Sequence, residues 1–329
     1  MQISRSTPNR LYSSSVTFSQ LLYSPKQRLL TLLGSASLLI VFYWNYGMGM
    51  ADIYQTTPFC NAEGVCGESP SVATTRTIYS ARSKGQYEKW MDFAEQLNRQ
   101  AQDYSPAANK LPLFFWGDSI TEAWLGTSYG TQAERAKGIP TVFQELLQSL
   151  ATPREPLIQA ISGDQTQHLL WRMQSSRLPT KYWQDPAAIH VVLIGTNNLG
   201  SGELPGPTTE GILAVAKYLL EHSKGKILLL EVLPRGDNTQ LRNLCPPRCN
   251  HDGQPFESFT PAVDKVNAAL RQQVEALQEP ERLVLLSLGE AFTKEDGHLE
   301  GKLFTDRLHP NVKGQRIMAE SIRDAIDKM

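Results

Sequence analysis

An excess of either charge is the first thing this sequence lacks. Its 32 Lys and Arg face 33 Asp and Glu across 329 residues, a formal net charge of −1. That balance gives no reason to expect nucleic acid or another strongly charged partner. A metal-binding cluster is missing too. The six histidines are scattered, and only Cys249 with His251 comes near a zinc spacing, without two further ligands to complete it. No metal is therefore expected. What is present is globular: 41% hydrophobic and 20% charged residues suffice for a buried core, in about one large or two small domains.

Acidic residues are absent from one stretch in particular, since none occurs before Asp52. There Arg5, Arg10, Lys26 and Arg28 precede an uncharged, almost wholly apolar run from Leu29 to Tyr46. Such a run is long enough to span a bilayer, and the basic residues ahead of it keep the N-terminus cytosolic. The expectation is a single-pass type II membrane protein. It would have a basic cytosolic tail at 1–28, a transmembrane signal-anchor at 29–50 and a luminal or extracellular remainder. A signal peptide cleaved at Gly49-Met50-Ala51 is the alternative and would give a secreted protein; a Ser-rich organelle transit segment is a third. The four cysteines agree with an oxidising compartment. Cys60 with Cys66, and Cys245 with Cys249, each bracket a short loop that a disulfide could close, although four cysteines allow three pairings.

Residues 51–84 show no helical or strand period and read as a stem, leaving 85–329 as the folded domain. Trp90, Phe93, Ala94, Leu97 and Ala101 recur at helical spacing and predict an amphipathic helix over 86–102. Short apolar runs follow at Leu111–Trp116, Ile189–Ile194, Ile227–Val232 and Leu283–Leu286, with a weaker one at Pro156–Ile161. Between them lie helical stretches at 141–150, 165–175, 208–222 and 261–278, and another at 311–328 closes the chain. Strands alternating with helices predict a three-layer α/β/α sandwich around a central, mostly parallel sheet. Ligands of such sheets bind beyond the carboxyl ends of the strands.

The apolar run at 111–116 stops at Gly117-Asp118-Ser119, which delivers a serine to that edge. Near the other end of the chain stands Asp306-Arg307-Leu308-His309-Pro310. Asp306 and His309 are three apart at the start of the last helical stretch, so both can share a face. A serine hydroxyl attacks well only when a base takes its proton, and the base works best when a carboxylate fixes its tautomer. Ser119, His309 and Asp306 supply all three groups. The plainer alternative makes Ser119 the cap of a helix from Ile120. Asp118, next to the serine, reads as a residue that ties down the turn.

With these motifs the chain resembles the SGNH (GDSL) esterase superfamily, whose four blocks occur in order. They are Gly117-Asp118-Ser119-Ile120, Ser162-Gly163-Asp164, Gly195-Thr196-Asn197-Asn198 and Asp306 to Pro310. In much of the superfamily the third block ends Asn-Asp. The longer stretches from Gly163 to Arg172 and Leu233-Pro234-Arg235-Gly236 resemble the catalytic subunits of intracellular platelet-activating-factor acetylhydrolase. The resemblance covers roughly residues 110–329. It implies an SGNH hydrolase-like, flavodoxin-like fold, Ser119 as nucleophile, His309 and Asp306 as base and orienting acid, and an oxyanion site from the Ser119 N–H, the Gly163 N–H and the Asn197 amide. No cofactor is implied. The activity implied is hydrolysis of a short-chain, acetyl-type ester. The alternatives are a carbohydrate O-acetylesterase, a lipid esterase or lysophospholipase, and a non-catalytic binding module. The substrate would be a small-molecule, glycan or lipid acyl ester, the membrane would be met through 29–50, and a homodimer is left open. Trp171 reads as core, and the segment 236–260 either borders the substrate pocket or is a surface insertion.

Overall fold

The computed structural model describes residues 68–329 apart from 79, 82, 237, 238, 246 and 247. Helix α1 (Lys84–Gln102) comes first, capped by the Ser83 hydroxyl, which accepts from the Gln86 N–H, and it buries the five apolar residues that its period predicts. Strand β1 (Leu111–Gly117) and the one-turn helix α2 (Ser119–Glu122) follow, then a small hairpin of β2 (Thr127–Ser128) and β3 (Thr131–Gln132). Next are α3 (Ile139–Ser149), β4 (Arg154–Ala160), α4 (Thr166–Gln174), α5 (Thr180–Trp183), β5 (Ile189–Leu193), α6 (Thr196–Gly200) and α7 (Pro205–His222). The chain ends with β6 (Lys226–Leu230), α8 (Thr239–Asn243), α9 (Thr260–Ala276), β7 (Leu283–Leu286) and α10 (Val312–Ile326).

Five strands form one sheet in the order β4-β1-β5-β6-β7, and every pairing is parallel. Counting only its own strands, the sheet runs 2-1-3-4-5, the flavodoxin-like order, with its switch point between β1 and β5. Alternate side chains of β1 serve opposite layers, as the twofold period of a strand requires. Phe114 and Trp116 pack with Leu169 and Met173 of α4, Ile212 and Leu219 of α7, and Val266 and Leu270 of α9. Leu113 and Phe115 pack with Val142 and Leu146 of α3 and Met318 and Ile322 of α10. The expected three-layer sandwich is therefore present. Each of these buried large side chains is worth ~1.5–3 kcal/mol relative to exposure.

One register matters most for the site. Gly117 lies level with Ala160 of β4 and Leu193 of β5, so three strands end side by side. A Cβ on Gly117 would stand 2.6 Å from the Leu193 carbonyl oxygen, so only glycine lets β1 turn this close to β5.

Two expectations need correction. Among the described residues no helix is long and apolar enough to cross a membrane. The long ones, such as α1 with 19 residues and α7 with 18, carry charges because one side of each faces water. This finding stands against the transmembrane signal-anchor, and the single-pass type II membrane protein with a luminal domain is not carried further. The run at 29–50, the tail at 1–28 and the Cys60–Cys66 loop lie outside the described residues. Secondly, part of the expected stem is bound to the domain: Thr74 N–H donates to the Gln167 carbonyl at 3.2 Å, and Ala81 is fully buried. Cys245 is bonded to Cys249, which removes Cys249 as a zinc partner for His251.

Candidate active site

At the end of β1 the cap of α2 is Asp118, not Ser119. The Asp118 carboxylate accepts the Ile120 N–H at 2.9 Å, which leaves the serine hydroxyl unused by the turn. Asp118 is fully buried, and burial pushes its carboxyl up to about 7 against the opposing effect of that hydrogen bond. Ser119 is 4% exposed, and its Oγ lies 2.9 Å from His309 Nε2. His309 Nδ1 lies 2.7 Å from Asp306 Oδ2. With Nδ1–H donating to the carboxylate, Nε2 remains the acceptor that faces the serine O–H.

Asp306 and His309 do meet, but not on a helix face. Helix α10 begins only at Val312, capped by the Asn311 side chain. A proline after His309 disfavours helical backbone there, and the segment instead forms a turn closed by the Phe304–Pro310 bridge. Arg307 takes the left-handed conformation at φ 66. Asp306 Oδ1 accepts the N–H groups of Leu308 at 3.1 Å and His309 at 2.8 Å. Burial alone would raise the Asp306 carboxyl, but the hydrogen bonds and charge of His309, with the Leu308 N–H, hold it well below the usual carboxylate range. Gly236, the last residue of Leu-Pro-Arg-Gly, donates its N–H to the Arg307 carbonyl at 2.7 Å.

Gly163 follows β4 at φ +78, a conformation that glycine adopts freely. Asn197 follows β5 and is half-buried. Its Nδ2 donates one hydrogen to the Asp164 carbonyl at 2.9 Å, and an amide nitrogen has a second to give. Asn198, where many relatives of the resembled superfamily carry Asp, ties down the start of α4: its Oδ1 accepts from Thr166 N–H at 3.0 Å. Ser119, Gly163 and Asn197 therefore fall at the carboxyl edge of β1, β4 and β5, and Asp306 and His309 on the turn that meets Ser119.

Glu122 and Arg135 go unmarked in the sequence, and Asp164, Arg172 and Arg235 stand there only inside motif stretches, without a role of their own. Glu122 is fully buried; its Oε2 accepts both the N–H and the hydroxyl of Ser162 at 2.6 Å. Its Oε1 accepts from Thr127 Oγ1 at 2.8 Å and from Gly130 N–H at 2.9 Å. Arg135 reaches Ser162 Oγ at 3.1 Å and the Ser119 carbonyl at 3.4 Å. Asp164 is held by Trp90 Nε1 at 2.6 Å and by Arg172 Nε at 2.8 Å. Arg235 donates to the Thr196 carbonyl at 2.6 Å. Buried charges such as these are paired or hydrogen-bonded, but the stretches around Arg135 and Asp164 are polar and carry no local signal of burial. Trp171 packs on Trp90 at 5.7 Å between ring centroids, as a core residue would. Arg248, in the 236–260 segment, donates to the Gly202 carbonyl at 2.7 Å, so that segment lies against the turn after α6.

A parallel flavodoxin-like sheet thus gathers serine, histidine and aspartate at its carboxyl edge. The chain belongs to the GDSL-like lipase/acylhydrolase family, whose model matches residues 115–317. It is 34% identical over 95 residues to platelet-activating factor acetylhydrolase IB subunit alpha1 of Pongo abelii, a stretch covering 29% of this chain and 38% of that protein. The chain thus spans well under half the length of the curated relatives it matches. A GDSL-like lipase structure from Bacteroides thetaiotaomicron VPI-5482 superposes with a TM-score of 0.52 at 19% identity, covering 72% of this chain and 98% of the other. A structure from Streptococcus pneumonia, described as a platelet activating factor, gives 0.51 at 17% identity, covering 73% and 93%. At such identities the likeness to the solved structures is one of fold.

Proposed function

We propose that this enzyme is a serine esterase that removes a short acyl group, acetyl first, with Ser119 as nucleophile. The observation that carries the proposal is the unbroken chain from Ser119 Oγ through His309 to Asp306, at 2.9 and 2.7 Å. As the Ser119 Oγ–carbon bond forms, its proton passes to His309 Nε2 and the carbonyl electron pair moves onto oxygen. Asp306 stays ionised and stabilises the imidazolium. The oxyanion is met by the N–H groups of Ser119 and Gly163 and by the free hydrogen of the Asn197 amide. Collapse expels the alcohol, which takes the proton from His309. Water, activated by the same base, then releases the acid and restores Ser119.

The Asn197 donor acts on charge that exists only in the transition state. Asn197→Ala is therefore expected to lower kcat by ~10²-fold with little change in KM. An unchanged kcat on a chromogenic acetyl ester would mean that the amide serves only the Asp164 carbonyl.

Preference for acetyl is supported by the likeness to acetylhydrolase subunits around Gly163–Arg172. An open apolar groove would gain up to ~0.8 kcal/mol for each added methylene and so favour longer chains, whereas a short pocket meets steric cost by the second or third carbon. Measured kcat/KM should fall steeply from acetyl through butyryl and hexanoyl to octanoyl esters. A profile that rises with length would leave a general lipid esterase with the same site residues.

A further inference from the structure

We infer that residues 68–81, ahead of the first helix, form a clip that sets the oxyanion donors, with Arg76 as its positioning residue. The inference rests on the proposed roles of Ser119, Gly163 and Asn197. Its described residues form no helix or strand, yet they are bonded at several points. Glu68 Oε2 lies 2.6 Å from His168 Nε2 and accepts from Gln167 Nε2 at 3.0 Å. The Pro70 carbonyl accepts from Thr166 Oγ1 at 2.8 Å. These contacts join the segment to the first turn of α4, directly after the Gly163 loop.

Arg76 reaches that loop itself. It is 5% exposed, and Nη1 donates to the Ser162 carbonyl at 3.2 Å and the Tyr129 hydroxyl at 3.3 Å, while Nη2 donates to the Ser80 carbonyl at 3.3 Å. None of these acceptors is a carboxylate. Burying a guanidinium on neutral acceptors alone is unfavourable, so stability by itself is a poor account of the residue. Its placement gives a better one. A Cβ on Gly163 would lie 2.7 Å from Arg76 Nη2 and 3.0 Å from the Tyr129 hydroxyl. The guanidinium and phenol thus stand where residue 163 would carry a side chain.

Ser162, whose carbonyl belongs to the same peptide group as the Gly163 N–H, is gripped from both sides. Glu122 accepts its N–H and hydroxyl, and Arg76 donates to its carbonyl. Pulling that carbonyl toward Arg76 fixes the plane of the peptide and therefore the direction of the Gly163 N–H. Tyr129 is itself held in the left-handed region at φ 53, ahead of Gly130 at φ 70, in the two-residue turn between β2 and β3. An aromatic residue in that conformation is strained and persists only when its surroundings hold it. The other arm of the clip runs through Gln167, whose Oε1 accepts from Asn198 Nδ2 at 3.3 Å, next to Asn197.

The test compares Arg76→Met and Arg76→Lys in the full chain, assayed well below each variant's measured melting temperature. Arg76→Met should lower kcat by about 10- to 100-fold, the scale expected of a donor displaced by a fraction of an ångström to an ångström, with KM within about twofold. Inactivation by an organophosphonate, whose adduct places an oxygen in the oxyanion site, should slow in parallel. Arg76→Lys reaches fewer acceptors and should recover only part of the rate. A lowered melting temperature with normal kcat in both variants overturns the inference, as does a raised KM at constant kcat, which would make Arg76 a substrate contact. If Arg76→Met fails to fold, Arg76→Lys decides alone, and normal kcat there is equally fatal. Ser119→Ala run alongside separates the two levels. Surviving activity in it removes the nucleophile, whereas an inactive Ser119→Ala beside kcat-normal Arg76 variants removes the clip alone.

Discussion

Ser119→Ala is expected to lower kcat by about 10⁵- to 10⁶-fold, the loss seen when an activated serine is removed from a cooperating triad. The fold should tolerate it. Ser119 Oγ bonds to His309 Nε2, while the turn itself is capped by Asp118. Losing the hydroxyl therefore leaves no backbone group of α2 without its partner, and the side chain becomes smaller. What survives should be the weak catalysis of an intact oxyanion site acting on bound ester and water, ~10³- to 10⁴-fold over the uncatalysed rate. The measurement is single-turnover and steady-state hydrolysis of a chromogenic acetyl ester, with a melting curve for each protein. Activity above about one per cent of wild type, with contamination excluded by titrating the active enzyme, would falsify the assignment of the nucleophile. The wild-type trace should also show a burst of alcohol release if deacylation is the slower step.

The parts of this protein that were legible in the sequence are those in which local pattern and long-range packing ask for the same thing. The run at 111–116 is apolar throughout because β1 lies inside the sheet, between β4 and β5, with both faces covered; such strands read as continuous hydrophobic stretches. The weaker run at 156–161 is β4, an edge strand of the sheet, whose first residues, Arg154 to Pro156, are only half-buried. Ser119, Gly163 and Asn197 could be placed because each follows a strand, and parallel strands end on one side of the sheet. What could not be read was contact between distant loops. Arg76 and Ser162 stand 86 residues apart, Glu122 and Ser162 40 apart, and no local period records such a bond. The lack of a period in 51–84 suggests a stem, yet the described residues of 68–81 bond to side chains of α4 and to the Ser162 carbonyl. For the same reason, the spacing of Asp306 and His309 suggests a shared helix face, whereas the structure brings the pair together on a turn. The three-residue spacing that fits a helix face also fits a turn, and Pro310 with the left-handed Arg307 selects the turn.

That turn decides what the second large substitution should do. In Asp306→Asn the amide can keep its oxygen on the Leu308 and His309 N–H groups that Oδ1 now accepts, so the turn should survive. Its NH₂ group then faces His309 Nδ1, where the carboxylate Oδ2 stands at 2.7 Å. A donor there forces Nδ1 to accept, which puts the imidazole proton on Nε2. The nitrogen facing Ser119 would carry a hydrogen and could no longer take one. For a buried acid this tautomer reversal costs about 10⁴-fold in kcat. Here the Asp306 side chain is 49% exposed, so water can compete for Nδ1, and a loss of about 10³-fold is expected on that scale. Asp306→Ala makes the contrast informative. It imposes no tautomer, but it strips both backbone N–H groups of their acceptor, so it should lower stability more and kcat less than the asparagine does. The two variants compared by kcat and melting temperature separate orientation of the base from support of the turn. Should Asp306→Asn keep activity within tenfold of wild type, Asp306 is a structural cap of the 306–309 turn, and His309 works without an orienting acid.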